Sequence, residues 1–213
     1  MAEKIKKHWD IILVGGIGLT LAIIGVLIMS GLLVLPNTAS AVTTTQTVTV
    51  SATVQPWLTF TVSTSSVQLL PDLVDTAGAT HIASSTAITM TVGSNADSYT
   101  MYIKDSNAGI KEGGGVLIPS VAVTSTLTEG SDNDNYGAQA TTTLSEVTIQ
   151  SLYNSWGTET VGRVTTTDDT LFIDTGTPAT DRTADLKLKA ECDSLQKVAT
   201  YSDTVTLSAV SGT

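Results

Sequence analysis

Apolar and hydroxyl side chains alternate along this chain in one short segment after another, from position 47 almost to the end. Between residues 47 and 54, for example, Val48, Val50 and Val54 fall on one side of an extended chain, and hydroxyl residues fall on the other. A period of two residues is typical of a strand with one buried face, whereas a helix has a period of about 3.6. The pattern therefore predicts strands throughout the region after residue 41.

The same alternation recurs at 58–63, 88–92, 99–104, 185–189 and 205–209. Glycine, proline, asparagine and aspartate separate these segments, as expected of turns. Together they predict an all-β fold, an antiparallel β-sandwich of the immunoglobulin-like or jelly-roll kind with about ten strands. No proline- or serine-rich linker divides residues 42–213, which we expect to form a single domain with exposed loops at 105–115 and 129–140.

Residues 1–41 have a different character. A short basic stretch precedes an uncharged, mostly apolar run from Ile11 to Leu35, which as a hydrophobic helix can cross a bilayer core of about 30 Å. Ala39-Ser40-Ala41 follows and matches the small residues that precede signal-peptidase cleavage. Two interpretations stay open: a signal peptide cleaved after Ala41, or an uncleaved transmembrane anchor. Both predict an exported, extracellular domain at the cell surface.

The charge and the histidine count exclude several classes of function. The chain carries a net charge of -10 and only 14% charged residues, which argues against a nucleic-acid partner. His81 is the only histidine after the leader, and no G-x-S-x-G turn is present to hold a nucleophile. The residues needed for a zinc site or a catalytic triad are therefore missing, and we expect a protein that is not an enzyme. His81 is predicted to be a polar residue at a strand edge.

Calcium is the one cofactor for which the sequence offers candidate ligands. Carboxylates close in sequence can bring oxygens together around this ion. The candidates are Asp132, Asp134, Asp168, Asp169 and Asp174. Tyr136 and Thr143 break the EF-hand pattern in the first loop, and aspartate is also common in turns for conformational reasons.

Other side chains admit a structural and a functional interpretation. Trp57 and Trp156 are predicted mainly as core residues, with a sugar-stacking platform as the alternative. Cys192 is predicted to be a small buried residue, although an exported lone cysteine can pair between chains. Lys104 and Lys189 are candidates for lysine–asparagine crosslinks.

The segment Val42–Val54 bears most directly on function. It is uncharged, rich in threonine and alternating, so it is predicted either as the first strand of its own domain or as a donor strand for a neighbouring copy. A long uncharged edge strand favours aggregation unless it is paired. We therefore expect this strand to be paired, within or between subunits.

Two blocks carry a family resemblance. The first is SATVQPWLTFTVS at 51–63 followed by 82–110, which contains the turn TVGSNADSYT, and the second is 189–209, which contains YSDTVTL. They resemble exported bacterial surface β-sandwich proteins of the kind common in candidate-phyla bacteria, including pilin-like or surface-filament subunits. The resemblance implies a cell-surface or filament-forming sandwich and carries over no catalytic residue.

The function expected from these observations is that of an exported structural protein at the cell surface. It would be a subunit of a pilus-like filament or surface layer, assembling with itself or with other surface proteins by β-strand complementation, with cell adhesion as a consequence. The alternative is a membrane-tethered monomeric module that uses loops 105–115 and 129–140 for carbohydrate binding or calcium-dependent adhesion.

Overall fold

The computed structural model describes residues 44–74, 78–113, 115, 117–176 and 178–212. The chain divides into two compact units, Met1–Ala52 and Thr53–Thr213, and every described strand belongs to the second. The hydrophobic helix predicted over Ile11–Leu35 and the cleavage site after Ala41 lie outside the described residues. Within the described ranges no helix is long and apolar enough to span a membrane.

The described residues form thirteen strands, against about ten expected from the alternation. In sheet order, the larger sheet consists of β1 (Leu58–Val62), β3 (Ile88–Ser94), β12 (Ala179–Glu191), β8 (Asn135–Thr141), β10 (Thr160–Gly162) and β7 (Thr124–Thr126), with β2 (Ala83–Ser84) also paired to β12. The smaller sheet has the order β13 (Thr206–Ser211), β4 (Tyr99–Lys104), β11 (Asp169–Asp174) and β9 (Val147–Ile149). A separate hairpin joins β5 (Gly109–Lys111) to β6 (Leu117–Pro119).

Strand β12 is the longest and occupies the centre of the larger sheet. It pairs antiparallel with β3 on one side, where Ala184 lies opposite Met90, and with β8 on the other, where Leu188 lies opposite Ala138. All pairings between named strands are antiparallel. The described part of the chain contains no α-helix. These observations confirm the prediction of an all-β, antiparallel fold.

One hydrophobic core receives side chains from both sheets. Met90 and Leu186 enter it from the larger sheet, and Met101, Ile103 and Phe172 enter it from the smaller one. All five are essentially inaccessible to solvent. For Met90, Met101 and Ile103, the alternation of β3 and β4 predicts this burial. The ring of Tyr99 adds an edge-on contact to Phe172, with a distance of 6.1 Å between ring centroids.

The prediction of an exposed loop over 129–140 is wrong in its second half, because β8 runs through it and is buried. The sequence pattern does not reveal this strand, because the glycine and alanines at its centre are too small to give a clear alternation of apolar and polar side chains. Small side chains are required here: a Cβ at Gly137 would lie 2.5 Å from the carbonyl oxygen of Gly162. The loop expected over 105–115 likewise contains the short strand β5.

Candidate functional site

Residues 44–57 form no strand in the single chain, although the pattern of Val42–Val54 predicts one. Side chains of the described part, 44–54, are exposed, and Val48 and Val50 show 84% and 87% of their surface to solvent. Valines that alternate with threonines normally lie against a sheet or a core. An uncharged strand pattern is therefore present without a partner strand among the residues that the structure describes.

Asn95 fixes the place at which this segment leaves the folded unit. Its side-chain amide donates to the carbonyl oxygen of Gln55 at 2.9 Å, and its side-chain oxygen accepts the backbone N–H of Trp57 at 2.7 Å. The backbone N–H of Asn95 also donates to the carbonyl oxygen of Trp57 at 3.4 Å. Residues 55–57 are thereby held beside the turn that follows β3, immediately before β1 begins.

Two of the four edges of the larger and smaller sheets are longer than the others, uncharged and adjacent. Strand β1 is one edge of the larger sheet, and β13 is one edge of the smaller sheet. Neither contains a charged residue, and the two strands contact each other. The opposite edges, β7 and β9, have only three residues each. Unpaired backbone groups along a long uncharged edge favour the addition of another strand.

The core is incompletely covered at β1 and β13. Leu58 and Phe60 on β1, and Leu207 and Ala209 on β13, pack against the core but stay partly exposed. On the interior strands β3 and β4 the equivalent side chains are fully buried. Val210, on the outer face of β13, has 52% of its surface exposed. Apolar surface thus stays in contact with solvent along this side of the fold, where another strand would bury it.

A cluster of polar groups holds the chain just before β13. The carboxylate of Asp203 accepts hydrogen bonds from the backbone N–H and hydroxyl of Ser106, at 3.3 and 2.7 Å, and from the amide of Asn107 at 3.2 Å. Asp105, 4% exposed, accepts the N–H of Ala108 at 2.7 Å. One oxygen of Asp105 and one of Asp203 are buried without a hydrogen-bond partner. Burial, followed by the charge of Asp203, raises the pKa of Asp105.

This cluster predicts a pH-dependent gain in stability for Asp105→Asn. Because the pKa of Asp105 is raised on folding, its carboxyl stabilises the folded state below the ordinary value of 3.8, and that contribution is lost as pH rises through the folded-state pKa. The asparagine keeps the acceptor for Ala108 and removes the negative charge that Asp203 repels. We expect the variant to be more stable than the unmodified chain by about 1 kcal/mol at pH 7.

Urea unfolding from pH 3 to pH 7 measures this difference. The gain should shrink as the pH falls towards 3.8. The exposed Asp132→Asn is the matched control and should show no such gain. A constant difference between Asp105→Asn and the unmodified chain across the whole range would contradict the account.

The structure gives most of the candidate calcium ligands other partners. Asp168 lies 3.1 Å from the amine of Lys104, Asp169 binds the guanidinium of Arg163 through both oxygens, and Asp174 faces Arg182. Asp134 accepts the backbone N–H of Asp193 at 2.9 Å, and Asp132 is exposed. Within the described ranges, no group of three or more acidic, histidine or cysteine side chains is placed to hold a metal ion. Calcium binding stays a prediction for these loops.

The remaining candidates have the following environments. The core position predicted for Trp57 is wrong, since 41% of its surface is exposed. Trp156 is half-buried, and the amine of Lys187 lies 4.8 Å from the centre of its ring. Cys192 is buried, as predicted, and burial raises the pKa of its thiol to about 11. His81 is half-buried and lies 3.9 Å from the carboxylate of Glu129.

Both lysines considered for a crosslink form ion pairs with carboxylates. The amine of Lys189 lies 2.8 Å from Glu159 and also donates to the carbonyl oxygen of Thr158 at 2.7 Å. Lys104 pairs with Asp168. These contacts satisfy the two amines as ion pairs and give no support for lysine–asparagine bonds.

Comparison of the chain with protein-family models and with curated protein sequences found no match.

Proposed function

We propose that this protein is an exported structural subunit of a cell-surface filament or layer, which assembles when Val42–Val54 of one copy adds as a strand to a neighbouring copy. Two antiparallel sheets that share one core support the proposal of a β-sandwich of the immunoglobulin-like or jelly-roll kind. The basic and apolar leader supports export, either as a cleaved signal peptide or as a membrane anchor. The proposal is for a non-enzymatic protein.

The observation that carries the proposal is the exposure of residues 44–54. Their valines lie in solvent, while the same alternation of apolar and hydroxyl residues in β3 and β4 is buried in the core. Strand addition would cover these valines and satisfy their backbone groups at the same time. The half-exposed core side chains of β1 and β13 show that the folded unit has apolar surface of its own to bury in such a contact.

Two substitutions at neighbouring positions test strand complementation. Val50→Lys places a charge on the face that would be buried, so we expect loss of assembly, because an unpaired buried charge is strongly unfavourable. Thr49→Lys adds the same charge to the opposite face, where it stays in water. We expect this control to assemble like the unmodified chain in a sedimentation assay on the exported protein.

Unfolding curves recorded beside the assay separate assembly from folding. Both positions lie in the exposed segment before β1, so the two variants should unfold like the unmodified protein. Equal assembly of Val50→Lys and Thr49→Lys would count against a buried face on this segment and therefore against the proposal.

A further inference from the structure

The neighbouring copy needs an edge that receives the segment, and the four edges of the larger and smaller sheets are not equivalent. Strands β7 and β9 have three residues each and match less than half of the alternating segment 48–54. An extended segment of that length spans about 20 Å, close to the length of β13 at about 3.3 Å per residue. Length therefore leaves β1 and β13 as possible acceptors.

The start of β1 is where each copy's own segment leaves the fold. Asn95 binds Gln55 and Trp57 there, directly before Leu58. A segment from another copy that docked along β1 would meet residues 55–57 of the receiving copy at this end. No departing chain lies at β13: it contacts β1, but among the described residues it pairs only with β4, through all its residues from Thr206 to Ser211.

Strand β13 is also held in place at both ends. At its start, Asp203 binds Ser106 and Asn107, and at its end the backbone N–H of Gly212 donates to the carbonyl oxygen of Ser98 at 2.8 Å. An edge that is already ordered loses little further conformational entropy when another strand adds to it. Its inward side chains, Leu207 and Ala209, are partly exposed and so have surface to contribute.

We infer that the outer edge of β13 is the acceptor for residues 48–54 of a second copy of this chain. The inference rests on the proposed function and identifies its docking surface. Val48, Val50 and Val54 would lie on the same face as Leu207 and Ala209, next to the partly covered core. Neither strand carries a charge, so no ionic group loses its hydration in the contact.

Cysteine pairs in the full exported chain test this assignment. Ser51 lies at the middle of the segment and Ser208 near the middle of β13, both on outward faces, so Ser51→Cys with Ser208→Cys should be close in either strand direction. Two control chains combine Ser51→Cys with Thr61→Cys on β1 or with Thr124→Cys on β7. Cys192 stays in place, because it is buried.

After mild oxidation, the Ser208→Cys chain should lose its monomer band to a ladder of covalent oligomers, while the two controls stay at or below the dimer. A ladder from Thr61→Cys or Thr124→Cys instead would overturn the assignment to β13 and leave strand complementation standing. Assemblies visible by electron microscopy without a ladder from any pair would also overturn it. Absence of both assemblies and ladders would refute the proposed function itself.

Discussion

Replacing Arg182 by methionine should cost about 3 kcal/mol in the free energy of unfolding, because it leaves a buried carboxylate without its cation. Arg182 lies on β12 in the larger sheet, and its Nε is 3.2 Å from an oxygen of Asp174 on β11 in the smaller sheet. Its Nη1 is 3.4 Å from Glu146, just before β9. The guanidinium therefore joins the two sheets, and the Asp174 side chain is only 4% exposed.

The surroundings of Asp174 add to the expected loss. The other oxygen of Asp174 accepts the N–H of Gly176 at 2.7 Å, which holds the carboxylate in place after the arginine is removed. Burial, together with the charge of Asp174, raises the pKa of the nearby Tyr99, so this tyrosine does not add a second negative charge beside the carboxylate. The negative charge would thus stay between the sheets without a cation.

Chemical unfolding monitored by tryptophan fluorescence measures the loss. The matched control is Arg163→Met, which breaks another arginine–aspartate pair whose arginine is far more exposed, and it should have a clearly smaller effect. Adding Asp174→Asn to Arg182→Met should restore part of the stability, because it removes the unpaired charge. Equal losses for the two arginine variants would contradict the role assigned to Arg182.

The second large effect is expected at Glu191, the last residue of β12. Its carboxylate is 2% exposed and accepts three hydrogen bonds: from the N–H of Thr128 at 2.5 Å, from the hydroxyl of Ser131 at 3.1 Å and from the amide of Asn135 at 2.7 Å. These donors lie along the segment that leads into β8. Glu191 therefore ties that segment to the central strand.

Glu191→Ala should lower the free energy of unfolding by about 3 kcal/mol, since it leaves partly buried donors unpaired and opens a cavity. Hydrogen exchange at Thr128 should accelerate in the same variant, because its N–H loses its acceptor. Glu129→Ala, which removes an exposed carboxylate from the same segment, should change neither quantity. Unchanged exchange at Thr128 in Glu191→Ala would rule out the proposed tie.

Alternation in the sequence predicted those strands whose two faces differ in polarity. Strand β4 begins and ends at the predicted residues, and β3 has the predicted buried face. The alternation did not predict strand β8, because Gly137 and its alanine neighbours are small. Their size is required by close packing against β10, a strand distant in sequence. Local periodicity carries no information about how closely a distant strand approaches.

The polar clusters could not be predicted from the sequence for a related reason. Asp105 and Asp203 are brought together by the pairing of β4 with β13, and Arg182 meets Asp174 only because the two sheets face one core. Conversely, Asp168 and Asp169 are neighbours in sequence, yet each pairs with a different basic side chain. Closeness in sequence therefore does not by itself turn two carboxylates towards one partner.

For the segment before β1, the alternating pattern predicts the face of a strand but not its partner. It identified Val48 and Val50 as one face of a strand, but the presence of a partner depends on what lies beside that strand. In the single chain these valines are exposed. Strand addition from another copy is the interpretation under which the pattern, the exposure and the free edges of β1 and β13 have a common explanation.

Electron microscopy of residues 42–213 beside residues 55–213 tests this account most directly. Both proteins retain all the described strands, and they differ only in the segment that precedes Gln55. The account predicts filaments or ordered arrays from the longer protein and dispersed monomers of equal stability from the shorter one. Identical behaviour of the two, as monomers or as assemblies, would contradict it.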